Sequence, residues 1–180
     1  FSAIVDRRGH TNSLEYHEPS GKIASWVNAR GLRHRFHYVE RRVLLTNPME
    51  PETFPCTFFD LVRVDYPDGA FELLERDERG NVVSRRNAAG EVTRFGYNSR
   101  GQVIARTNAL GGVTRYDYDG RANLVAESDS DGVGRTFGYD ALFRRTSVTN
   151  ADGTVDLYGF DPMDRLTSVV DERGVRLELQ

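Results

Sequence analysis

Large apolar residues recur at every second position in short runs along this chain, and polar residues and glycine separate the runs. Positions two apart lie on one face of a β-strand, whereas a helix needs apolar residues three and four apart over about a dozen positions. No segment of the sequence carries that helical spacing. The pattern therefore predicts an all-β protein built from short antiparallel strands.

Glycine marks a repeat of 21 residues. The series is Gly9, Gly31, Gly69, Gly90, Gly111, Gly132, Gly153 and Gly174, with 22 residues between the first two members. Asn or Asp stands three residues before each of these glycines, except before Gly69, where Tyr66 takes that place. An Asn or Asp side chain bonds the backbone two residues on, and a glycine supplies the left-handed conformation that closes a type I hairpin turn. Each tetrapeptide therefore predicts a hairpin.

A second turn follows half a period later, at Asp77 to Gly80 and at Asn98 to Gly101. Later copies place Ala122, Phe143 and Asp164 where this glycine is expected. The left-handed conformation costs about 1 kcal/mol for a residue such as Ala or Phe. We therefore expect the turn type to change in these copies, and each period to hold two strands and two turns.

Aromatic residues follow the glycines in a fixed phase and predict a ladder along one face of the sheet. They are Tyr16, Phe36, Tyr38, Phe95, Tyr97, Tyr116, Tyr118, Phe137, Tyr139, Tyr158 and Phe160, and Arg76 interrupts the series. Such a ladder could bind sugars or bases by stacking. In so regular an array we interpret it as core.

The pairs Tyr118-Asp119 and Tyr139-Asp140, in phase with the glycines, resemble the YD repeats of Rhs proteins. Similar repeats occur in the B and C components of Tc toxins and in teneurins. The resemblance covers residues 66–180 closely and residues 6–40 less closely. It implies a meander of two-strand repeats that forms a long curved sheet, as a segment of a spiral shell.

The repeat phase divides the chain into three parts within one continuous repeat domain. Residues 1–40 hold the first two YD repeats, and residues 66–180 hold the regular ones. Between them, residues 41–65 contain Pro48, Pro51 and Pro55. Proline is confined to edges and bulges of sheets, so we predict an inserted loop.

Composition and charge argue against two classes of function. The net charge of −3 gives no basic surface for binding nucleic acid, and no apolar run is long enough to span a membrane. Phe1 begins the chain without a signal peptide, which we interpret as the start of a piece of a longer protein. The single Cys56 cannot form a disulfide within the chain, and the low cysteine content favours a bacterial protein.

No catalytic, cofactor or metal site is predicted. His10, His17, His34 and His37 could converge on a metal, but His34 and His37 should face opposite sides of a strand. Asp129 to Gly132 resembles the start of a calcium loop, and we interpret it as another turn. Asp161-Pro162-Met163-Asp164 resembles the D-P-x-G region linked to autoproteolysis in Rhs cores, and we interpret it as a plain turn. We interpret Cys56 as a packed thiol.

The resemblance implies a structural segment, not an enzyme, in the shell of a secreted or cell-surface Rhs-type toxin. Its partners would be neighbouring YD repeats and a C-terminal toxin domain enclosed as cargo, and open sheet edges could allow self-association. The alternative is an adhesion or carbohydrate-binding module. Such repeats usually bind through several tryptophans, and this chain has only Trp26. A teneurin-like role in cell contact also stays open.

Overall fold

The structure is a computed structural model that describes residues 2–5, 7, 9, 11–47, 49, 52–171 and 173–179. Sixteen β-strands account for its regular structure, and the described residues form no helix. The all-β prediction is therefore confirmed. The strands are β1 Ser2–Val5, β2 Thr11–Tyr16, β3 Ile23–Val27, β4 Arg33–Thr46, β5 Thr53–Asp65, β6 Phe71–Arg76, β7 Val82–Arg86, β8 Val92–Tyr97, β9 Val103–Thr107, β10 Val113–Tyr118, β11 Leu124–Ser128, β12 Gly134–Tyr139, β13 Arg145–Thr149, β14 Val155–Phe160, β15 Leu166–Val170 and β16 Arg176–Glu178.

The strands follow one another in a single sheet in chain order, from β1 to β16, so each is bonded to its neighbours in sequence. The recorded registers are antiparallel, which confirms the predicted meander. By compactness the chain divides into two units, Phe1–Arg94 and Phe95–Gln180. The three-part division made from the sequence stays a prediction.

The turns share one set of backbone hydrogen bonds. In the turn from Asn108 to Gly112, the amide of Gly111 donates to the carbonyl of Asn108 over 3.0 Å, and the amide of Asn108 donates to the carbonyl of Gly112 over 2.9 Å. Gly111 has a φ of 86°. The predicted glycines also have positive φ, namely Gly9, Gly31, Gly69, Gly80, Gly90, Gly101, Gly132, Gly153 and Gly174.

The expectation that the turn type changes at Ala122, Phe143 and Asp164 is wrong. These residues keep the left-handed conformation, with φ of 72°, 64° and 63°. Their amides donate to the carbonyls of Asp119, Asp140 and Asp161 over 3.1, 3.1 and 3.2 Å, as a glycine amide does elsewhere. The flanking strands fix the turn, and the local cost of about 1 kcal/mol is too small to replace it.

One longer turn explains the 22-residue spacing between Gly9 and Gly31. Between β2 and β3, the amide of Gly21 donates to the carbonyl of His17 over 2.9 Å, and the amide of His17 donates to the carbonyl of Lys22 over 2.7 Å. This turn therefore spans one residue more than the turn at Asn108. Gly21, with a φ of 65°, supplies its left-handed residue.

The predicted loop at residues 41–65 is wrong. The strands β4 and β5 continue through it as one long hairpin, paired from Arg35 with Asp65 to Thr46 with Thr53. Pro55 lies inside β5, opposite Leu44. Proline is accepted there because β6 pairs only with Arg63–Asp65, so this part of β5 is an edge strand within the described residues. Pro48 and Pro51 lie outside the described residues.

Among the described residues, six hairpins carry a β-bulge that the sequence did not predict. The bulge lies next to the turn in five of them, whereas in the pair β4–β5 it lies at His37 and Tyr38, far from the turn. In the pair β10–β11, Asp117 faces Ala126 and Tyr118 faces Leu124, so Val125 is the extra residue. The same register shift leaves Ala24, Val62, Val83, Thr146 and Thr167 as extra residues in the pairs β2–β3, β4–β5, β6–β7, β12–β13 and β14–β15. We call these six the bulged hairpins. A bulge interrupts the ladder and increases local twist.

Little of the chain is buried. Among the described residues, only Phe137, Val148 and Ser25 are buried. The chain exposes 12725 Å² of surface, whereas a compact globular protein of its mass exposes about 8,800 Å². The sheet is therefore stabilised chiefly by contacts between adjacent strands.

The turn geometry predicts opposite effects for two matched substitutions. Gly111→Ala should lower the free energy of unfolding by about 1 kcal/mol, because a φ of 86° strains any other residue. No atom lies within 4 Å of the added Cβ, so the loss would be conformational and not steric. Ala122→Gly should raise the free energy of unfolding by a similar amount. Urea denaturation checks both, and shifts of the same sign would contradict the turn assignment.

Candidate functional site

The repeated tyrosine completes the backbone ladder where a bulge interrupts it. Between β3 and β4 the register ends at Ser25 and Arg35, and the Tyr38 hydroxyl then donates to the carbonyl of Ile23 over 2.8 Å. Ile23 directly precedes the bulge residue Ala24. The hydroxyl therefore adds a bond between β3 and β4 at the point where their recorded backbone pairing has ended.

The same contact recurs with an offset of 15 residues. The hydroxyl of Tyr139 donates to the carbonyl of Leu124, and that of Tyr118 to the carbonyl of Val103, each over 2.9 Å. Burial raises the pKa of Tyr118 and of Tyr38. The sequence predicted these side chains only as packing groups. Phe160 occupies the same position without a hydroxyl.

Arg76, which interrupts the aromatic series, makes the equivalent contact. Its Nε donates to the carbonyl of Leu61 over 3.1 Å, again 15 residues earlier. Leu61 precedes the bulge residue Val62. A second Arg76 nitrogen donates to the carbonyl of Gly80 over 2.7 Å. An arginine can therefore replace the tyrosine as the donor at this position, and an aromatic ring is not essential for the contact.

The aspartate that follows the tyrosine organises the adjacent turn. Oδ1 of Asp119 accepts from the amides of Arg121 and Asn123 over 2.9 and 2.8 Å. Oδ2 accepts from the Asn123 side chain over 2.8 Å. Asn98 accepts in the same way from the amides of Arg100 and Gln102. The tyrosine thus bonds the strand before its own, and the aspartate bonds the turn after it.

These hydrogen bonds stabilise the charged form of the turn aspartates. The Asn123 side chain lowers the pKa of Asp119, and the Asn81 side chain lowers that of Asp77. The backbone amide of Arg165 lowers the pKa of Asp161, and the Arg165 side chain adds to the effect. Desolvation opposes the shift in all three cases.

Side chains also connect one turn of this kind with the next. Arg144 Nη1 donates to the carbonyl of Asp161 over 2.7 Å and approaches Asp164 Oδ1 at 3.0 Å. Arg100 donates to the carbonyl of Gly120 over 3.1 Å. The Arg121 guanidinium lies 5.4 Å from the centre of the Phe143 ring. Turns one period apart are therefore connected directly.

The predicted aromatics lie on even-numbered strands. Tyr16 is in β2, Phe36 and Tyr38 in β4, Phe95 and Tyr97 in β8, Tyr116 and Tyr118 in β10, Phe137 and Tyr139 in β12, and Tyr158 and Phe160 in β14. Phe137 packs opposite Val148 and is 8% exposed, with Arg145 4.9 Å from its ring centre. Tyr16 is 42% exposed. The ladder is thus a half-buried surface with one buried position.

The other candidate residues do not converge on a site. His34 stacks on Trp26 at 4.9 Å, and His37 bonds Asp65 over 2.6 Å. His34 lies opposite Trp26 of β3, and His37 lies opposite Arg63 of β5. The two pairs are on opposite faces of the sheet, so the two histidines do not face each other. His10 lies outside the described residues. No group of His, Cys, Asp and Glu side chains in the described part of the chain could hold a metal.

Two further motifs form ordinary elements. Asp129 accepts from the amides of Asp131 and Val133, as in the other turns. Asp161 accepts from the amide of Met163.

Cys56 pairs with Val43 in the long hairpin and is a free thiol. The described residues contain no helix long and apolar enough to span a membrane.

Sequence comparison identifies the family. The RHS repeat profile matches residues 76–112, 97–133, 122–155 and 144–176, which together span 101 of the 180 residues. This chain belongs to the RHS repeat family. No curated protein sequence matches this RHS repeat chain.

Solved structures share the fold of this RHS repeat chain. It is similar to the crystal structure of TcdB2-TccC3-Cdc42, with a TM-score of 0.60 and 14% identity over 93% of this chain and 10% of that one. It is also similar to a Photorhabdus luminescens Tc holotoxin pore with a mutated TccC3, with a TM-score of 0.58 and 13% identity over 89% of this chain and 9% of that one. The chain therefore spans about a tenth of the length of these chains.

The hydroxyl contact predicts a reciprocal pair of substitutions. Tyr118→Phe should lower the free energy of unfolding by about 1 kcal/mol, because the Val103 carbonyl loses its donor. Phe160→Tyr should raise it by up to about 1 kcal/mol, because it supplies the missing hydroxyl. Urea denaturation of both variants tests this, and an unchanged Tyr118→Phe variant would contradict the role of the hydroxyl.

The turn aspartates predict a loss of stability in acid. Their folded-state pKa values lie below the ordinary value of 3.8, so they stabilise the fold above that pH. This stabilisation is lost as the pH falls through the folded-state values. The triple variant Asp77→Asn, Asp119→Asn and Asp161→Asn should lose less of its free energy of unfolding between pH 6 and pH 2.5 than the wild type does.

Asn98→Asp provides the control, because it adds a titrating group to a turn that has none at its first position. Its urea midpoint should fall more steeply in acid than that of the wild type. Parallel curves for the wild type, the triple variant and Asn98→Asp would mean that the turn carboxylates do not govern acid stability.

Proposed function

We propose that this chain is a segment of the wall of a hollow β-shell in an Rhs-type toxin, and that the shell encloses a C-terminal effector domain. The enclosing wall would shield the effector from proteases and from the producing cell until delivery. The single observation that carries the proposal is the meander of strands in chain order, which is shared with Tc toxin structures.

Two further observations support a wall. Few of the described residues are buried, so a single layer of strands forms the segment, as a wall requires. One similar structure is TcdB2-TccC3 without its hypervariable C-terminal region, at a TM-score of 0.54 and 14% identity over 89% of this chain and 10% of that one. A variable C-terminal region beside constant repeats is the arrangement expected for a shell with exchangeable cargo.

The proposed role is structural. The contacts described above bind strand to strand and turn to turn. The glycines and the aromatic residues named from the sequence would act by setting the turns and the twist of the sheet. The chain would be exported as part of a larger protein, with neighbouring repeats as its first partners.

Limited proteolysis of the full-length parent protein tests enclosure. We expect the repeat region to resist digestion and the downstream region to remain intact and to co-elute with it in size exclusion. The downstream region expressed alone is the control, and it should be digested rapidly under the same conditions. Equal digestion of the downstream region in both samples, identified by mass spectrometry, would overturn the proposal.

A further inference from the structure

The long hairpin of β4 and β5 extends beyond the strands on either side of it. β3 pairs only with Arg33–Arg35 of β4, and β6 pairs only with Arg63–Asp65 of β5. Within the described part of the chain, residues 39–46 and 53–60 pair only with each other. We call these two segments the arm. We propose that the arm is an interaction element that binds an extended, apolar segment of the enclosed polypeptide, and this proposal rests on the proposed function.

The arm has one predominantly apolar face. Residues directly opposite in the register lie on the same face, which places Val39, Val43, Leu45, Phe54, Cys56 and Phe58 together, with the Arg41–Asp60 ion pair on the same face near the base of the arm. Val39 is 51% exposed, Phe54 47%, and Leu45 and Phe58 each 41%. The other face holds Glu40, Arg42, Thr46, Thr53 and Thr57, together with Leu44, Pro55 and Phe59. The arm is therefore amphipathic, and its apolar face lies open.

The base of the arm is held by two turns. Lys22 Nζ donates to the carbonyl of Phe59 over 2.6 Å, and the Phe59 ring lies 5.2 Å from that of His17. Arg41 bonds Asp60 over 2.5 Å and reaches the carbonyl of Glu78 at 3.5 Å. The arm is thus fixed at its base, although an isolated two-stranded hairpin is only marginally stable in water.

The size of the apolar face decides between possible partners. Eight residues on each of two strands cover roughly 26 Å by 10 Å, or about 250 Å². A stable complex of two separate proteins buries roughly 800 Å² on each partner. A second copy of this chain could not be held by this face alone. A tethered polypeptide needs far less contact, because its effective concentration is in the millimolar range.

The open edges of the arm define the chemistry of that partner. No described strand pairs with the outer side of residues 39–46 or of residues 53–60. Unpaired strand edges accept an extended peptide through backbone hydrogen bonds, and alternate side chains of the peptide then contact one face. An incompletely folded, apolar stretch of the enclosed domain fits both features. A compact, folded domain with a polar surface does not.

Site-specific photo-crosslinking in the full-length parent protein tests this. A benzoylphenylalanine replaces Phe58 on the apolar face, or Thr57, its neighbour on the opposite face, as the matched control. We expect about tenfold more crosslinking to the downstream region from position 58 than from position 57. Proteolysis of the same samples reports whether the downstream region is enclosed.

The two proposals fail in distinguishable ways. If the downstream region is protected and position 58 crosslinks no more than position 57, the arm proposal is wrong and the shell proposal stands. Crosslinks from position 58 to a second copy, or to the repeats alone, also overturn it. If the downstream region is digested freely and position 58 does not crosslink to it, both proposals fall.

Discussion

The sheet has almost no buried interior, so each strand depends on the strands that precede and follow it. Hydrogen bonding between neighbours then decides the stability of the whole segment. The bulged hairpins interrupt this bonding at a fixed point of the repeat. At three of these bulges, a side chain of the next strand, Tyr38, Arg76 or Tyr139, donates to the carbonyl just before the extra residue.

This dependence gives the Tyr-Asp pair a physical meaning. Tyr118 bonds the strand before its own, and Asp119 bonds the turn after it, so two adjacent residues connect three consecutive elements of the chain. Arginines such as Arg144 then connect one turn with the next. Much of the stability of each repeat therefore comes from its contacts with the repeats before and after it, as is typical of repeat proteins.

Much of the fold could be predicted from the sequence, because turn chemistry and side-chain alternation are local properties. The glycines and the aromatic pairs were enough to predict an all-β fold and the positions of its turns. The bulges could not be predicted, since no residue type marks Val125 or Thr146 as extra. The arm was missed because prolines favour a loop locally, whereas pairing between distant segments decided the outcome. At Ala122 and Phe143, the flanking strands overrode an unfavourable local conformation.

The order of the strands has a consequence for how the segment forms. Every strand is bonded to its neighbours in the chain, so pairing never waits for a distant part of the sequence. Short loops close at low entropic cost and fold fast. Growth can thus proceed one hairpin at a time, as each length of polypeptide emerges from a ribosome or a secretion channel. The repeats can therefore pair before the sequence downstream of them has emerged.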